Sequence, residues 1–183
     1  MQTYISILRG INVSGKKKIK MNELKAVYES LDLENVRSYI QSGNVIFNDQ
    51  NPDQSNLSAA IGKKLAEVFG FPVTVLIRDR DTFQRIINRN PFLAERAVDT
   101  RALLVTLLSQ APSQAALAGI EPAIDDGDQY RFSDSQEEVY LFCPDGYGRT
   151  RLSNSFFEKK LGVVATTRNW NTVNKLYEIA SAG

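Results

Sequence analysis

Apolar and polar residues follow one another along the chain with two periods, one of two residues and one of three to four. Stretches with the shorter period predict strands, and stretches with the longer period predict helices whose apolar face packs on a sheet. The first predicted elements are a strand at residues 3–8, a helix at 21–31, strands at 36–40 and 44–47, a helix opened by residues 51–52 and ended by Gly70, and a strand at 73–78.

The same order of elements returns after a linking segment. A helix at 81–90 is predicted to stop before Pro91, because a proline disfavours the α conformation in the residue that precedes it. The second series is a strand at 101–108, a short helix at 113–118, strands at 129–132 and 138–142, a helix at 153–161, a strand at 163–166 and a closing helix at 170–180.

Strand, helix, strand, strand, helix, strand is the order of a ferredoxin-like unit, in which two helices cover one face of a four-stranded antiparallel sheet. We therefore predict an α+β protein of two tandem ferredoxin-like units (α/β plaits) with a C-terminal helix. The predicted boundaries are 1–80 for the first unit, 81–97 for the linking helix and its Asn-Pro-Phe segment, and 98–183 for the second unit and the last helix.

Polar residues near the predicted helix ends indicate where the helices are capped. Asn22 is the expected N-cap of the first helix and Asn169 that of the last, and Ser155 and Glu158 have the spacing of a capping box. Gly43 is expected at the turn between the second and third strands, because glycine adopts positive φ angles without strain.

Composition excludes several kinds of chemistry. The chain has no histidine and one cysteine, Cys143, which excludes catalysis by imidazole and an intramolecular disulfide and argues against a zinc site. No apolar run approaches the roughly 20 residues of a membrane-spanning helix, and no secretory signal is visible. A cytoplasmic protein without membrane contact, metal or cofactor is expected.

Positive charge is concentrated after the first strand, although the formal net charge of the chain is +1. In a ferredoxin-like unit this loop lies at the same end of the sheet as the hairpin between the second and third strands, so cations and amides would converge on a phosphate or carboxylate. The predicted anion-binding residues are Arg9, Asn12, Lys16, Lys17, Lys18, Gln41, Ser42 and Asn44. The alternative interpretation is a solvated loop in which Asn12 and Gln41 brace the backbone.

Residues 10–17 nearly match the phosphate-binding pattern of P-loop proteins, but they end in Lys17 where that pattern requires Ser or Thr. A lysine cannot hold magnesium as a hydroxyl group does, and the predicted helix does not follow the loop directly. A true P-loop is therefore not expected.

A second glycine-rich loop begins at Cys143. Arg149 and Arg151 would clamp a phosphate while Tyr147 stacks on a base, or the loop is a solvated turn built on Pro-Asp-Gly. These three residues and Arg168 are secondary candidates, and no catalytic residue is identified. Cys143 has no histidine partner, which favours a buried, inert thiol over a nucleophile.

Four segments resemble the bacterial family known as domain of unknown function 1697. They are residues 8–13 (LRGINV), 39–45 (YIQSGNV), 90–92 (NPF) and 167–172 (TRNWNT). The resemblance covers essentially the whole chain. The resemblance implies two α/β plaits, in agreement with the periodicity. It implies no catalytic residue, substrate or cofactor.

Three functional hypotheses follow. The preferred one is a binding module for an anionic partner, either a phosphorylated small molecule or a nucleic-acid backbone, through residues 9–20. The alternatives are an enzyme that acts on a phosphorylated or carboxylated small molecule, and a structural or interaction protein without a small-molecule site. Only Tyr4 and Phe47 are placed to stack on bases, which disfavours sequence-specific RNA binding. The oligomeric state is left open.

Overall fold

The computed structural model describes residues 1–50, 53–94, 98–120 and 127–182. Over these residues the protein is α+β, with two four-stranded antiparallel sheets and a C-terminal helix, as predicted. The predicted opening of the second helix at residues 51–52 lies outside the described residues. No described helix combines the length and the apolar character that crossing a bilayer requires.

The first sheet is built by the first half of the chain. Its strands and the helices around them are β1 (Gln2–Arg9), α1 (Met21–Glu29), β2 (Glu34–Tyr39), β3 (Asn44–Asp49), α2 (Gln54–Phe69), β4 (Thr74–Asp79) and α3 (Arg80–Asn88). The strand order is β2-β3-β1-β4, and each neighbouring pair is antiparallel.

The second sheet repeats this order. Its elements are β5 (Leu103–Leu108), α4 (Gln114–Ala118), β6 (Gln129–Phe132), β7 (Glu138–Phe142), α5 (Asn154–Leu161) and β8 (Ala165–Asn169), followed by α6 (Trp170–Ser181). The strand order is β6-β7-β5-β8. Short 3-10 helices at Pro91–Ala94 and Thr100–Ala102 precede β5.

The chain forms two compact units, Met1–Gln84 with Lys175–Gly183, and Arg85–Asn174. The division therefore falls within α3 and within α6. The division predicted from the sequence, into residues 1–80, 81–97 and 98–183, stays a prediction.

The core of the first unit lies between one face of its sheet and the helices α1 and α2, whose apolar residues recur at helical spacing. The buried residues on this face include Tyr4, Leu8, Val45 and Phe47 from the strands and Leu24, Tyr28, Leu57, Ile61 and Leu65 from the helices. Ser6, on the same face of β1, is fully buried, and its hydroxyl is 2.5 Å from the Tyr28 hydroxyl. A buried hydroxyl without such a partner would be costly, so this pair makes the polar residue compatible with the core.

The core of the second unit is built in the same way. Leu104 and Leu108 of β5 and Leu141 of β7 pack with Phe157 and Leu161 of α5. A threonine occupies the middle of β5, where β1 has Ser6, and this buried residue also finds a partner: the hydroxyls of Thr106 and Thr167 are 2.8 Å apart. In each unit the polar residue at the middle of the first strand is thus satisfied by a hydroxyl partner.

Two of the predicted helix caps are wrong, and one is confirmed. The N-cap position of α1 is Lys20, not Asn22, and α5 is capped by Ser153, whose hydroxyl accepts from the Phe156 N–H at 3.2 Å. Instead of closing a capping box, Glu158 accepts from the Ala165 N–H at 3.1 Å. Asn169 does cap α6, since its side-chain oxygen accepts from the Thr172 N–H at 2.8 Å.

Candidate functional site

The lysine loop, residues 10–20, folds into a tight turn that projects into solvent. The Lys16 N–H donates to the Val13 carbonyl at 3.0 Å, and between them Ser14 and Gly15 have φ angles of 50° and 74°. Positive φ at both central residues is the signature of a type I′ turn. Because the Asn12 N–H also donates within the turn, to the Lys17 carbonyl at 3.1 Å, these amides are not directed at a phosphate as those of a P-loop are.

Asn12 holds the base of the lysine loop. Its side-chain oxygen accepts from the Ile19 N–H at 2.8 Å, and its amide nitrogen donates to the carbonyls of Ile19 and Gln41 at 3.0 and 2.8 Å. These bonds close the loop and tie it to the hairpin between β2 and β3. They also explain where α1 begins, because Ile19 is held by Asn12 and the first helical bond runs from Leu24 N–H to the Lys20 carbonyl.

Replacing Asn12 by alanine is expected to lower the free energy of unfolding by about 2 to 3 kcal/mol. It removes three hydrogen bonds, some of them near solvent, and places a less tolerant residue at a φ of 54°. Urea denaturation measures the change. Asn22→Ala, at an exposed asparagine of α1, is the matched control and is expected to cost less than about 0.5 kcal/mol. Equal losses in the two variants would show that Asn12 does not brace the loop.

Lys17 is anchored away from the turn. Its ammonium group donates to the Pro72 carbonyl at 3.0 Å and lies 5.8 Å from the centre of the Phe71 ring. Within the described part of the chain, the ammonium groups of Lys16 and Lys18 have no such partner. The lysines are therefore not equivalent, since Lys17 fastens the loop to the segment before β4 while Lys16 and Lys18 face solvent.

The hairpin opposite the lysine loop is organised by Asn44. This residue is fully buried, and its amide nitrogen donates to the Tyr39 carbonyl at 3.0 Å and to the Ser42 hydroxyl at 2.9 Å. The Gly43 carbonyl accepts from the Leu8 N–H at 2.8 Å, so the hairpin also bonds to the end of β1. Ser42 and Asn44 thus shape the hairpin backbone, and the loop and the hairpin meet as the predicted topology requires.

A cavity of about 590 Å³ opens beside the lysine loop, the hairpin and the start of α1. Its walls combine charged, amide and apolar side chains. They include Lys18, Lys20 and Glu23, then Asn12, Asn22 and Gln41, then Ile19 and Met21. The Asn12 amide is already used in bracing the loop, but the ammonium groups of Lys18 and Lys20 and the amides of Asn22 and Gln41 can hold an anion by hydrogen bonds.

The start of α1 adds to the positive character of this cavity. Lys20 stands at the N-cap position with φ −75° and ψ 142°, and its side chain makes no capping hydrogen bond. The first backbone N–H groups of a helix carry partial positive charge and need an acceptor. Glu23 supplies the opposite charge, and its carboxylate is 3.6 Å from the Lys20 ammonium group, with both side chains exposed.

The cavity includes part of the predicted set of residues. Asn12, Lys18 and Gln41 line it, whereas Arg9, Lys16, Lys17, Ser42 and Asn44 are not part of its lining. The lining residues that the sequence-based set omitted are Gly15, Ile19, Lys20, Met21, Asn22 and Glu23. One signal was available, because Lys20 continues the run of cations at 16–18 up to the start of α1.

The lysine loop and the cavity lie within the part of the chain that matches a known family. The family described as Protein of unknown function (DUF1697) matches residues 1–140. The chain belongs to this family. The match confirms the family that the sequence resembles, over residues 1–140.

A solved structure has a similar fold to this DUF1697 protein. It is the conserved bacterial protein SP0830 from Streptococcus pneumoniae, with a TM-score of 0.72, 22% sequence identity and coverage of 98% of each chain. At that identity the likeness shows a shared fold. Comparison with curated proteins gives no match.

In the DUF1697 protein, Tyr147 connects the second glycine-rich loop to the core of the second unit. The Tyr147 hydroxyl donates to the Thr167 hydroxyl at 3.1 Å and accepts from the Asn154 N–H at 3.1 Å, and the ring packs against the core of the second unit. Arg168 donates to the Thr166 hydroxyl at 3.1 Å and to the Thr167 carbonyl at 2.9 Å. These contacts give Tyr147 and Arg168 structural roles.

Arg149 and Arg151 are exposed. The Gly146 N–H donates to the Cys143 carbonyl at 3.0 Å, which closes the turn predicted from Pro-Asp-Gly, and the Arg149 N–H donates to the Gly146 carbonyl at 3.1 Å in a second turn. Their role as a phosphate clamp stays a prediction. In the described ranges, no three Asp, Glu or Cys side chains lie together closely enough to hold a metal ion.

Cys143 is fully buried, and this burial raises the pKa of its thiol to about 11. Only the thiolate attacks thiol reagents, so we expect the native protein near pH 8 to react about 100-fold more slowly than the urea-unfolded chain. Because this is the single cysteine of the chain, release of a chromophoric thiol reports on it alone. Equal rates for native and unfolded protein would contradict the buried, inert thiol.

Proposed function

We propose that this DUF1697 protein binds a small phosphate- or carboxylate-bearing ligand in the cavity beside the lysine loop. One observation carries the proposal: Lys18 and Lys20 line the same cavity as the uncapped first turn of α1. Ammonium groups and the free N–H groups at the start of a helix both attract an anion. Where both kinds of group face the same cavity, their electrostatic attractions add. The amides of Gln41 and Asn22 would fix its orientation.

A small molecule is favoured over a nucleic-acid backbone by the shape of the site. Small-molecule sites usually measure about 300 to 1,000 Å³, a range that includes this cavity. A polyanion is instead held by cations spread along a surface. Lys17 is already engaged with Pro72 and Phe71, so it is not available to extend the row of cations along the surface.

The arrangement of the site fits two tandem ferredoxin-like units, which we infer from the strand orders β2-β3-β1-β4 and β6-β7-β5-β8 and the placement of α1, α2, α4 and α5 between strands. In such a unit the loop after the first strand and the central hairpin share one end of the sheet. A cytoplasmic location in a bacterium is part of the proposal, supported by the free thiol of Cys143 and the bacterial family resemblance.

The proposal is tested by calorimetric titration at low salt with inorganic phosphate, a sugar phosphate, a mononucleotide and a short RNA. We expect at least one small phosphate to bind the wild type, and the variant Lys18→Ala/Lys20→Ala to bind it about tenfold or more weakly. The matched control is Lys159→Ala/Lys160→Ala, which removes two exposed lysines from the last turn of α5 and is expected to keep the wild-type affinity.

Three results would contradict the proposal. Equal losses in the two double variants would show a net-charge effect. Binding of RNA alone, erased by added salt, would indicate a polyanion-binding surface. If no ligand binds the wild type, the structural or interaction hypothesis is preferred.

A further inference from the structure

Glu23 is an acidic residue in the cavity that is proposed to bind an anion. Its carboxylate belongs to the same wall as the two lysines and lies 3.6 Å from the Lys20 ammonium group. A carboxylate close to a bound phosphate or carboxylate weakens that binding, because like charges repel. The wall of this cavity therefore presents both signs of charge.

The ion pair between Lys20 and Glu23 can be replaced by ion pairs with a ligand, with little loss of free energy. Their side chains are 78% and 48% exposed, and an ion pair of that exposure contributes little to stability. An anion that binds Lys18 and Lys20 takes Lys20 away from Glu23 and leaves this carboxylate free to pair with another cation. The lysine that remains, Lys18, is already committed to the same anion.

We infer that the ligand of this cavity carries an ammonium group close to its anionic group, as a soluble amine-bearing phosphomonoester does. The inference rests on the proposed anion-binding function. In the bound state the anion faces Lys18 and Lys20, and the ligand ammonium group replaces Lys20 as the partner of Glu23. Ile19 and Met21 line the same cavity and provide apolar contact for the short carbon chain between the two charges.

The test compares 2-aminoethyl phosphate with propyl phosphate, which replaces the ammonium group by a methyl group of similar size. By calorimetric titration near neutral pH, we expect the wild type to bind the amine about two- to fivefold more tightly, the range for a solvent-exposed ion pair. Glu23→Gln should abolish this preference. Glu29→Gln, an exposed acid at the other end of α1, is the matched control and should keep it.

The possible failures are distinguishable. If Glu23→Gln strengthens both esters equally, or if inorganic phosphate binds and neither ester does, the inference is overturned while the proposed function stands. If neither inorganic phosphate nor either ester binds the wild type, the proposed function fails as well. If the protein co-sediments with phosphatidylethanolamine vesicles but does not bind free 2-aminoethyl phosphate, the ligand is a lipid headgroup. This result would overturn the inference of a soluble ligand.

Discussion

Replacing Gly43 by alanine is expected to lower the free energy of unfolding by about 2 to 5 kcal/mol, the sum of a strained backbone and an overpacked core. Gly43 has a φ of 78°, and a Cβ atom there would lie 2.7 Å from Ile11 Cδ1 and 2.8 Å from Leu8 Cβ. Both neighbours are buried, and Leu8 Cβ is fixed to the backbone of β1, so neither can move far. Urea denaturation of the variant measures the loss.

The variant Gly70→Ala separates the loss caused by backbone strain from the loss caused by overpacking of the core. Gly70 has almost the same φ, 76°, but a Cβ atom there would have no neighbour within 4 Å. This control is expected to lose about 1 to 2 kcal/mol, from backbone strain alone. If the two variants lose the same amount, the close approach of the hairpin to Leu8 and Ile11 is not what requires glycine at position 43.

The free energy of unfolding is expected to fall above pH 10, by about 1.4 kcal/mol per pH unit from Tyr28 alone. Tyr28 is fully buried, and burial raises the pKa of its hydroxyl far above the ordinary value of 10.0. Above pH 10 the unfolded chain loses this proton and the native protein keeps it, so the unfolded state is stabilised as pH rises. The contribution of Tyr28 is complete below pH 10 and decreases through the alkaline range. Urea titrations at a series of alkaline pH values measure this slope.

Two variants assign the alkaline slope to burial of the phenol. Tyr28→Phe should reduce the slope by about 1.4 kcal/mol per pH unit. Ser6→Ala removes the hydrogen-bond partner but leaves the phenol buried, so it should keep most of the slope. Tyr140 contributes in the same direction, because burial raises its pKa to about 12. An unchanged slope in Tyr28→Phe would refute the assignment.

The two interpretations of the lysine loop concern different residues. Asn12 braces the loop, as the structural alternative expected, whereas the bracing of the hairpin by Asn44 and the bond of Lys17 to Pro72 were not part of that alternative. Lys18 and Lys20 instead line an open cavity and carry the proposed binding function. Mutating all lysines of the loop together would therefore mix a loss of anchoring with a loss of binding, and the variants that leave Lys17 intact are the informative ones.

The order and type of the elements could be predicted because periodicity is a local property. A short apolar run in β1, helical spacing in α1 and a glycine directly after α2 are all visible in a few neighbouring residues. Helix starts were harder to predict. Asn22 has the right chemistry for a cap, but the helix begins at Met21 because Asn12, on the other side of the lysine loop, holds Ile19.

The sequence by itself determined the α+β class, the two sheets, the exclusion of histidine chemistry and the concentration of cations after β1. Only the tertiary structure decided which of those cations line the cavity. Lys17 meets a carbonyl 55 residues away, and Asn12 meets one 29 residues away. Such partners are set by the packing of the sheet and not by neighbouring residues, so no local pattern separates Lys17 from Lys18, although the first anchors the loop and the second lines the cavity.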